Sequence, residues 1–268
     1  MKINKISLKR LVFLIFFLFI FNAYFFSDIF KHIPVPVLNC YANPTATFAC
    51  PIGTIQHFLV VNSFSFLTIG MILLVGFFIG RMTCGWACPF GFVQELINKI
   101  PLPHIRPPEW LRYGKYLFLL IPVVLLPIFW VDKSGYSVTY FCKICPSGAL
   151  GAGIPQVLLH PEFKNLLGLQ FVAKMSILAF IVIAVIFNNR FFCKYICPLG
   201  AMLGAANKVS MIQMKLDIDK CVKCNRCQSV CPTDIKIYEE PDSPECIRCM
   251  ECVKVCPTKC ISVGMKKF

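Results

Sequence analysis

Charged residues are scarce in this sequence. They make up 15% of the 268 residues, whereas a soluble domain carries about 25%. Acidic residues are the scarcest, with 13 Asp and Glu against 27 Lys and Arg, and the net charge is +14. Hydrophobic residues account for 57% of the chain, which includes 26 Phe. The shortage of charge therefore argues against a wholly soluble protein.

The sequence also lacks the patterns that bind haem or nucleotides. None of its four histidines (His32, His57, His104 and His160) lies at the centre of a predicted helix, which excludes a haem held by two histidines between membrane helices. No C-x-x-C-H occurs, so covalently attached haem is excluded as well. A Walker loop and a dinucleotide fingerprint are also missing. These exclusions leave the cysteines as candidate cofactor ligands.

Cysteine, in contrast, is abundant, with 17 residues in the chain. Disulfide-dense proteins are usually small, secreted and polar, whereas this chain is long and apolar. The composition therefore predicts a membrane protein whose thiols bind a cofactor.

Four apolar runs, 11–26, 58–79, 116–131 and 171–187, predict membrane-spanning helices. A hydrocarbon core of roughly 30 Å needs about 20 helical residues, so three of the runs must extend into their flanks. Basic residues precede the first run, as they do in a signal peptide, and this alternative stays open. However, no Ala-x-Ala cleavage site follows that run.

The basic residues predict an orientation. With four spans, 22 of the 27 Lys and Arg fall on one side, in the N-terminal segment, the loop 80–115 and the tail 188–268. The positive-inside rule then places both termini in the cytoplasm and the protein in the inner (cytoplasmic) membrane. The net positive charge therefore reflects topology, and no motif supports a nucleic-acid partner.

The tail contains two copies of C-x2-C-x2-C-x3-C-P, the pattern of bacterial ferredoxins with two [4Fe–4S] clusters. In that pattern three close cysteines bind one cluster and the fourth crosses to the other. The predicted ligand sets are Cys221, Cys224, Cys227 and Cys256 for one cluster, and Cys246, Cys249, Cys252 and Cys231 for the second. Structural zinc is the alternative, although zinc sites use two pairs of thiolates. Cys260 lies outside the pattern and is interpreted as a buried or free thiol.

A second pattern, C-P-x-G, occurs four times in the membrane part, and each copy is preceded by another cysteine. The predicted topology places two pairs outside the membrane and two at the cytoplasmic face. This alternation predicts an internal repeat with a pseudo-twofold axis along the membrane normal. Four thiolates would then meet at each face. We call them the inner set (Cys84, Cys88, Cys193 and Cys197) and the outer set (Cys40, Cys50, Cys142 and Cys145).

The inner set is predicted to bind a third cluster and the outer set a fourth. For the outer set, Cys40–Cys50 and Cys142–Cys145 disulfides, redox-active thiols or another metal remain alternatives. Arg81 and Arg190 lie three residues before the first cysteine of each inner pair. They could offset the negative charge of a thiolate-ligated cluster, and membrane anchoring is the alternative.

Residues 84–91 (CGWACPFG) and 193–200 (CKYICPLG), followed by the two-cluster tail, resemble the polyferredoxin membrane proteins of the NapH and NosR group. The resemblance implies an inner-membrane electron-transfer protein with both C-x3-C-P motifs on the cytoplasmic side, often described as a component of a quinol dehydrogenase. The chain departs from the NapH pattern in having the outer set.

We therefore expect an α-helical membrane protein with four transmembrane helices and a two-fold repeat over 1–212. A small α+β ferredoxin-like domain with two [4Fe–4S] clusters should follow over 213–268. The preferred function is a conduit for electrons between the cytoplasmic tail and a partner in or across the membrane, with up to four clusters. One alternative is a quinol dehydrogenase subunit that uses menaquinol or ubiquinol and has structural outer cysteines. The other is a redox-sensing or metalloenzyme-assembly factor. In each case we expect the chain to be a subunit with no catalytic residues of its own. For electron transfer it would be the electron-transfer subunit of an oxidoreductase complex, with redox partners on one or both sides.

Overall fold

The computed structural model describes residues 5–22, 36–40, 50–130, 141–160, 162 and 168–265, and most of its elements are helices. The first half contains α1 Lys5–Phe21, α2 Pro51–Val60, α3 Phe66–Ile79, α4 Met82–Trp86 and α5 Pro89–Ile97. A helical stretch, α6 Glu109–Phe129, follows. The second half contains α7 Phe141–Ile144, α8 over 146–159, α9 Leu169–Phe187, α10 Phe191–Tyr195 and α11 Pro198–Ala206.

The order of these helices repeats along the chain. Each C-P-x-G motif begins a helix, because its cysteine is the residue before α2, α5, α8 or α11 and its proline is the first helical residue. Proline suits that position, since its φ is helical and its missing N–H would have no partner within the helix. Each half therefore runs from an outer C-P helix through an apolar helix, α3 or α9, to an inner C-P helix.

Two of the predicted spans coincide with helices that are long and apolar enough to cross a membrane. These are α6, with 21 residues, and α9, with 19 residues and a mean hydropathy of 2.4. Most of the apolar surface of α9 faces outward, since only 11% of its most apolar stretch is buried. α6 begins before the predicted run and widens into a π-helix over Leu119–Leu125, around Pro122.

The prediction of one continuous helix over 58–79 is wrong. The first part of this run belongs to α2, which ends at Val60, and Asn62 then has a φ of 52°. The next helix, α3, begins after Ser65, whose hydroxyl lies 2.6 Å from the Thr68 hydroxyl. The 14 residues of α3 give a length of about 21 Å. In the first predicted span α1 ends at Phe21, and residues 23–26 lie outside the described part of the chain.

The tail is a small α+β unit. Strands β1 Ile212–Leu216 and β2 Ile261–Met265 pair antiparallel, with Ile212 opposite Met265. Two short helices, α12 Arg226–Ser229 and α13 Glu251–Val255, lie between the strands in sequence and pack together. The strands thus hold the two ends of the tail together, while the predicted boundary at 212/213 stays a prediction.

Candidate metal centres

The cysteines of the tail surround two cavities. One, which we call the proximal cavity, is lined by Cys231, Cys246, Cys249 and Cys252, and also by Cys227. The other, the distal cavity, is lined by Cys221, Cys224, Cys227 and Cys256. The fourth cysteine of each motif thus lies beside the first three of the other motif, which is the arrangement that the sequence interpretation expects. The ligand assignment itself stays a prediction.

The backbone around these cavities is arranged to favour negative charge. Backbone N–H groups of Arg248, Glu251 and Val253 point at the sulfurs of Cys246, Cys249 and Cys252, respectively. Residues with a positive φ occur at the same positions in the two motifs. The equivalent pairs are Lys223 and Arg248, Asn225 and Met250, and Asp234 and Lys259. Amides that converge in this way form an anion-binding nest. The tail cysteines therefore fit a thiolate-ligated cluster.

Cys260 is buried, and its sulfur lies 3.4 Å from the Cys256 sulfur. It also lines the distal cavity. The interpretation as a buried thiol agrees with this position, and the structure adds that the thiol is next to a predicted ligand.

The inner set is gathered within the core of the membrane part. Its four cysteines are buried and lie close enough to interact electrostatically. The backbone N–H groups of Gly91 and Gly200 donate to the sulfurs of Cys88 and Cys197, both at 3.4 Å. The two C-P helices therefore present the same sulfur–amide contact to one shared site, as the repeat predicts.

Arg81 and Arg190 cross between the halves of the repeat. Arg81 donates to the Cys193 carbonyl at 2.7 Å, and Arg190 donates to the Cys84 carbonyl at the same distance. Each guanidinium also lies against the glycine of the opposite C-P helix, Gly200 for Arg81 and Gly91 for Arg190. Both side chains are fully buried, so they brace the inner set and are not membrane-surface anchors.

Each of these arginines is paired with a glutamate, of which Glu245 is buried and Glu95 is half-buried. Glu95 accepts from Arg190 at 2.8 Å and from Arg10 at 2.5 Å. Glu245 accepts from Arg81 at 2.9 Å and also from Lys115. Burial would raise the pKa of Glu245, but the adjacent Arg81 and Lys115 outweigh it and hold that pKa below its usual range.

The outer set also comes together. Cys50, Cys142 and Cys145 interact electrostatically with one another and with Cys40. Backbone N–H groups of Gly53 and Gly148 point at the sulfurs of Cys50 and Cys145, as Gly91 and Gly200 do at the inner set. All 17 cysteines are free, so the structure contains neither of the two disulfides that the sequence left open.

Three buried phenyl rings connect the outer and inner sets. Phe141 precedes Cys142, and Phe192 precedes Cys193. The centroids of their rings are 6.4 Å apart. Phe192 in turn makes an edge contact at 5.3 Å with Phe90, which lies two residues after Cys88. The two sets are therefore separated by packed aromatic side chains.

The tail is packed directly against the inner set. An added Cβ at Gly85 would overlap the Ile247 carbonyl oxygen, and one at Gly204 would come within 2.7 Å of the Pro244 carbonyl oxygen. Trp86 donates its indole N–H to the Arg248 carbonyl at 3.0 Å. Residues 244–248 contain Cys246 and directly precede Cys249, and both cysteines line the proximal cavity. That cavity is therefore the part of the tail packed against the inner set.

Several residues of this site were not found from the sequence. Glu95, Glu245 and Lys115 belong to the charge network around the two buried arginines, and Gln94 contacts Cys193. An acidic residue is rare in this chain, and a glutamate next to the inner cysteines could have been noticed on that ground. Within the described residues, no three His, Cys, Asp or Glu side chains converge as they would around a single metal ion.

Comparisons with known proteins agree with these motifs. Residues 61–108 and 171–218 each match the family model described as a 4Fe-4S binding domain, and residues 213–257 match a 4Fe-4S dicluster domain. The two matches to one model show that the apolar helix and the inner pair of each half are repeated. The outer set lies outside all three segments.

Curated proteins of the same kind are similar over most of the chain. An uncharacterised protein of Methanocaldococcus jannaschii is 32% identical over 210 residues, which cover 74% of this chain and 79% of that protein. The putative electron transport protein YccM of Escherichia coli is 27% identical over 62% of this chain and 47% of its own length. The ferredoxin-type protein NapH of Haemophilus influenzae is 24% identical over 61% and 53%, respectively. No solved structure matches.

The paired C-P helices, the two-cluster tail and these matches lead to one conclusion. The chain belongs to the family of ferredoxin-type [4Fe–4S] electron transport proteins that includes NapH and YccM.

Proposed function

We propose that this protein is an electron conduit across a membrane, with one [4Fe–4S] cluster at each of four sites. Electrons would move between the distal cavity, the proximal cavity, the inner set and the outer set, and then to or from a redox partner beyond the membrane. In this proposal α1, α3, α6 and α9 are the four spans of the inner membrane, and both termini are cytoplasmic.

The observation that carries the proposal is the continuous packing of the four sites. Cys227 lines both tail cavities. The Ile247 carbonyl of the proximal cavity lies against Gly85, next to Cys84. Phe192 then joins the inner set to Phe141, next to Cys142. Each site is therefore separated from the next by one or two residues.

The short helices bring the outer and inner sets towards each other. A hydrocarbon core is about 30 Å thick, which is too far for one fast electron transfer between its two faces. The C-P helices contain only 9 or 10 residues in α2, α5 and α11, and irregular backbone at membrane depth is tolerated where protein buries it. The two sets can thus lie on either side of the midplane and not at the two surfaces.

Iron content tests the proposal. Anaerobically purified wild-type protein should contain about 16 iron atoms, four for each of four [4Fe–4S] clusters. The Cys40→Ser/Cys142→Ser double variant should lose one cluster and retain about 12 iron atoms. Iron analysis with electron paramagnetic resonance (EPR) of the reduced protein measures both values.

The matched control is Cys260→Ser, a buried thiol outside the four ligand sets, and it should retain the wild-type iron content. A wild-type value of about 8, unchanged in the double variant, would contradict both membrane clusters. A wild-type value of about 12 iron atoms, unchanged in the double variant, would support the inner cluster and contradict the outer one.

A cavity supports a second candidate function, oxidation of a membrane quinol. The cavity has a volume of about 180 Å³ and lies between the two membrane sets, lined by Phe90 and Val93 on one side and by Asn39 and Ser147 on the other. An apolar cavity with a few polar groups is the usual form of a small-molecule site. A quinol in it would donate electrons to the inner set, and the outer cysteines would be structural.

Quinol reduction separates the two functions. If the second function holds, menaquinol or ubiquinol analogues should reduce the clusters of wild-type protein and of Cys40→Ser equally fast. A Val93→Trp variant, which fills the cavity, should slow that reduction without changing the iron content. Reduction that needs the outer cysteines would favour the conduit.

A further inference from the structure

The sixth residue after the C-P cysteine differs among the four repeats. It is Gln56 and Gln94 in the first half, at the outer and inner sets respectively, and Gly151 and Leu203 in the second half. Gln94 and Leu203 are therefore equivalent positions on either side of the inner set. Both are buried, with Gln94 1% exposed and Leu203 fully covered.

Gln94 contacts a sulfur of the inner set. Its amide nitrogen lies 3.1 Å from the Cys193 sulfur, and its amide oxygen lies 3.2 Å from the backbone nitrogen of Phe192. A backbone N–H can only donate, so the atom that faces Phe192 must be the oxygen. The orientation of the amide is therefore fixed by its neighbour, and the NH₂ group faces the sulfur.

The equivalent position on the other side cannot make this contact. Leu203 has no polar side-chain atom, so the Cys84 sulfur receives no bond from that position. The hydrogen bonds from the backbone N–H groups of Gly91 and Gly200 to Cys88 and Cys197, in contrast, have the same length in both halves. The hydrogen bond from Gln94 is thus a departure from two-fold symmetry at the inner set.

At the outer set the equivalent glutamine is oriented the other way. The Gln56 nitrogen donates to the Pro122 carbonyl at 2.8 Å, and its oxygen lies 3.1 Å from the Cys142 sulfur. The same residue type at the same repeat position therefore donates to a sulfur only at the inner set.

We propose that Gln94 is a positioning residue that raises the reduction potential of the inner cluster and makes the cluster electronically asymmetric. The inference rests on the proposed inner cluster. When that cluster takes up one electron from a low-potential donor, no bond forms or breaks, and the added charge spreads onto the cysteine sulfurs. A donor at Cys193 stabilises the more negative, reduced form, and hydrogen bonds to cluster sulfurs are an established determinant of potential.

The test is a redox titration of Gln94→Leu, which copies the residue that the second half already has. Anaerobic titration with dithionite and mediators, followed by EPR, gives the potential of the inner cluster, whose signal is identified by its loss in Cys193→Ser. We expect reduction to become about tenfold less favourable, a downward shift of about 59 mV for a one-electron couple. Gln56→Leu is the matched control and should leave the potential of the inner cluster unchanged.

Two further variants make the test independent of packing. Gln94→Glu keeps the acceptor for Phe192 but removes the donor, so it should lower the potential at least as much as Gln94→Leu. Adding Leu203→Gln to Gln94→Leu supplies a donor at the opposite side and should restore the potential in part.

The inference is overturned if Gln94→Leu and Gln94→Glu keep the inner signal with an unchanged potential. It is also overturned if both variants lose that signal, because Gln94 would then be needed for assembly of the cluster and not for its potential. A wild-type protein without an inner signal would instead contradict the proposed function itself.

Discussion

Around the inner set, buried basic side chains form ion pairs that only the folded structure shows. Arg81, Arg190 and Lys115 are all fully buried, and each is paired with a glutamate. Removing one partner of a buried pair leaves an uncompensated charge, which costs about 3–5 kcal/mol. The sequence shows that the two arginines are near the cysteines. It does not show whether they are buried, because a basic residue in a cytoplasmic loop can equally be an exposed membrane anchor.

Glu95 should make the stability of the protein depend on pH. Burial would raise its pKa, but Arg190 and Arg10 outweigh burial, and the pKa lies below the unfolded value of 4.5. A carboxylate with a lowered pKa stabilises the fold above the unfolded pKa, and this contribution is lost as the pH falls through the folded pKa. We expect Glu95→Gln to destabilise the protein by about 3 kcal/mol at neutral pH and by progressively less below pH of about 4.5.

Thermal unfolding of the detergent-solubilised protein, followed by tryptophan fluorescence over a pH series, measures this difference. The control is Glu239→Gln, because the Glu239–Lys236 pair is exposed and such pairs contribute about 0–1 kcal/mol. An equal loss of stability for Glu95→Gln at pH 7 and at acid pH would contradict the assignment.

At the scale of elements, the close contact between α4 and the tail depends on the absence of a side chain at Gly85. Gly85→Ala should push the Ile247 carbonyl away from α4, because an added Cβ would overlap that oxygen. We expect slower electron transfer between the tail clusters and the inner cluster, and easier proteolytic release of the tail. Stopped-flow reduction and limited proteolysis measure the two effects.

Gly70→Ala in α3 is the control for this substitution. An added Cβ there would meet no atom within 4 Å, and alanine is the better helix former by about 1 kcal/mol. Wild-type kinetics in Gly85→Ala would show that the tail does not need this close approach.

The elements also show what the sequence could and could not predict. Cysteine spacing and the position of proline after each cysteine predicted the repeat, because both depend on local chain geometry. Hydropathy predicted one helix over 58–79, since Asn62 and Ser63 are short interruptions within an apolar run. The break became visible only in the backbone, where Asn62 is left-handed. Likewise, no pattern could show that Gln94 faces Cys193, because the two residues belong to different halves.

At the scale of the whole molecule, the basic residues predict the topology. The tail 188–268 has 13 Lys and Arg, whereas the loops 27–57 and 132–170 together have four. A green fluorescent protein fused after residue 268 should therefore fluoresce, and alkaline phosphatase fused there should be inactive. Fusions after residue 160 should give the opposite result. An active phosphatase at residue 268 would reverse the proposed orientation.

The crossing of Arg81 and Arg190 has a consequence for biogenesis. The inner site needs residues from position 81 to position 200, and Arg10 links Glu95 to Glu251 near the other end of the tail. A nascent chain cannot complete this site until synthesis has passed residue 200, and the contact with Glu251 forms later still. Any iron that the inner set binds would therefore be delivered after that point, and a chain that ends before Glu245 would leave the buried Arg81 and Lys115 without their carboxylate partner.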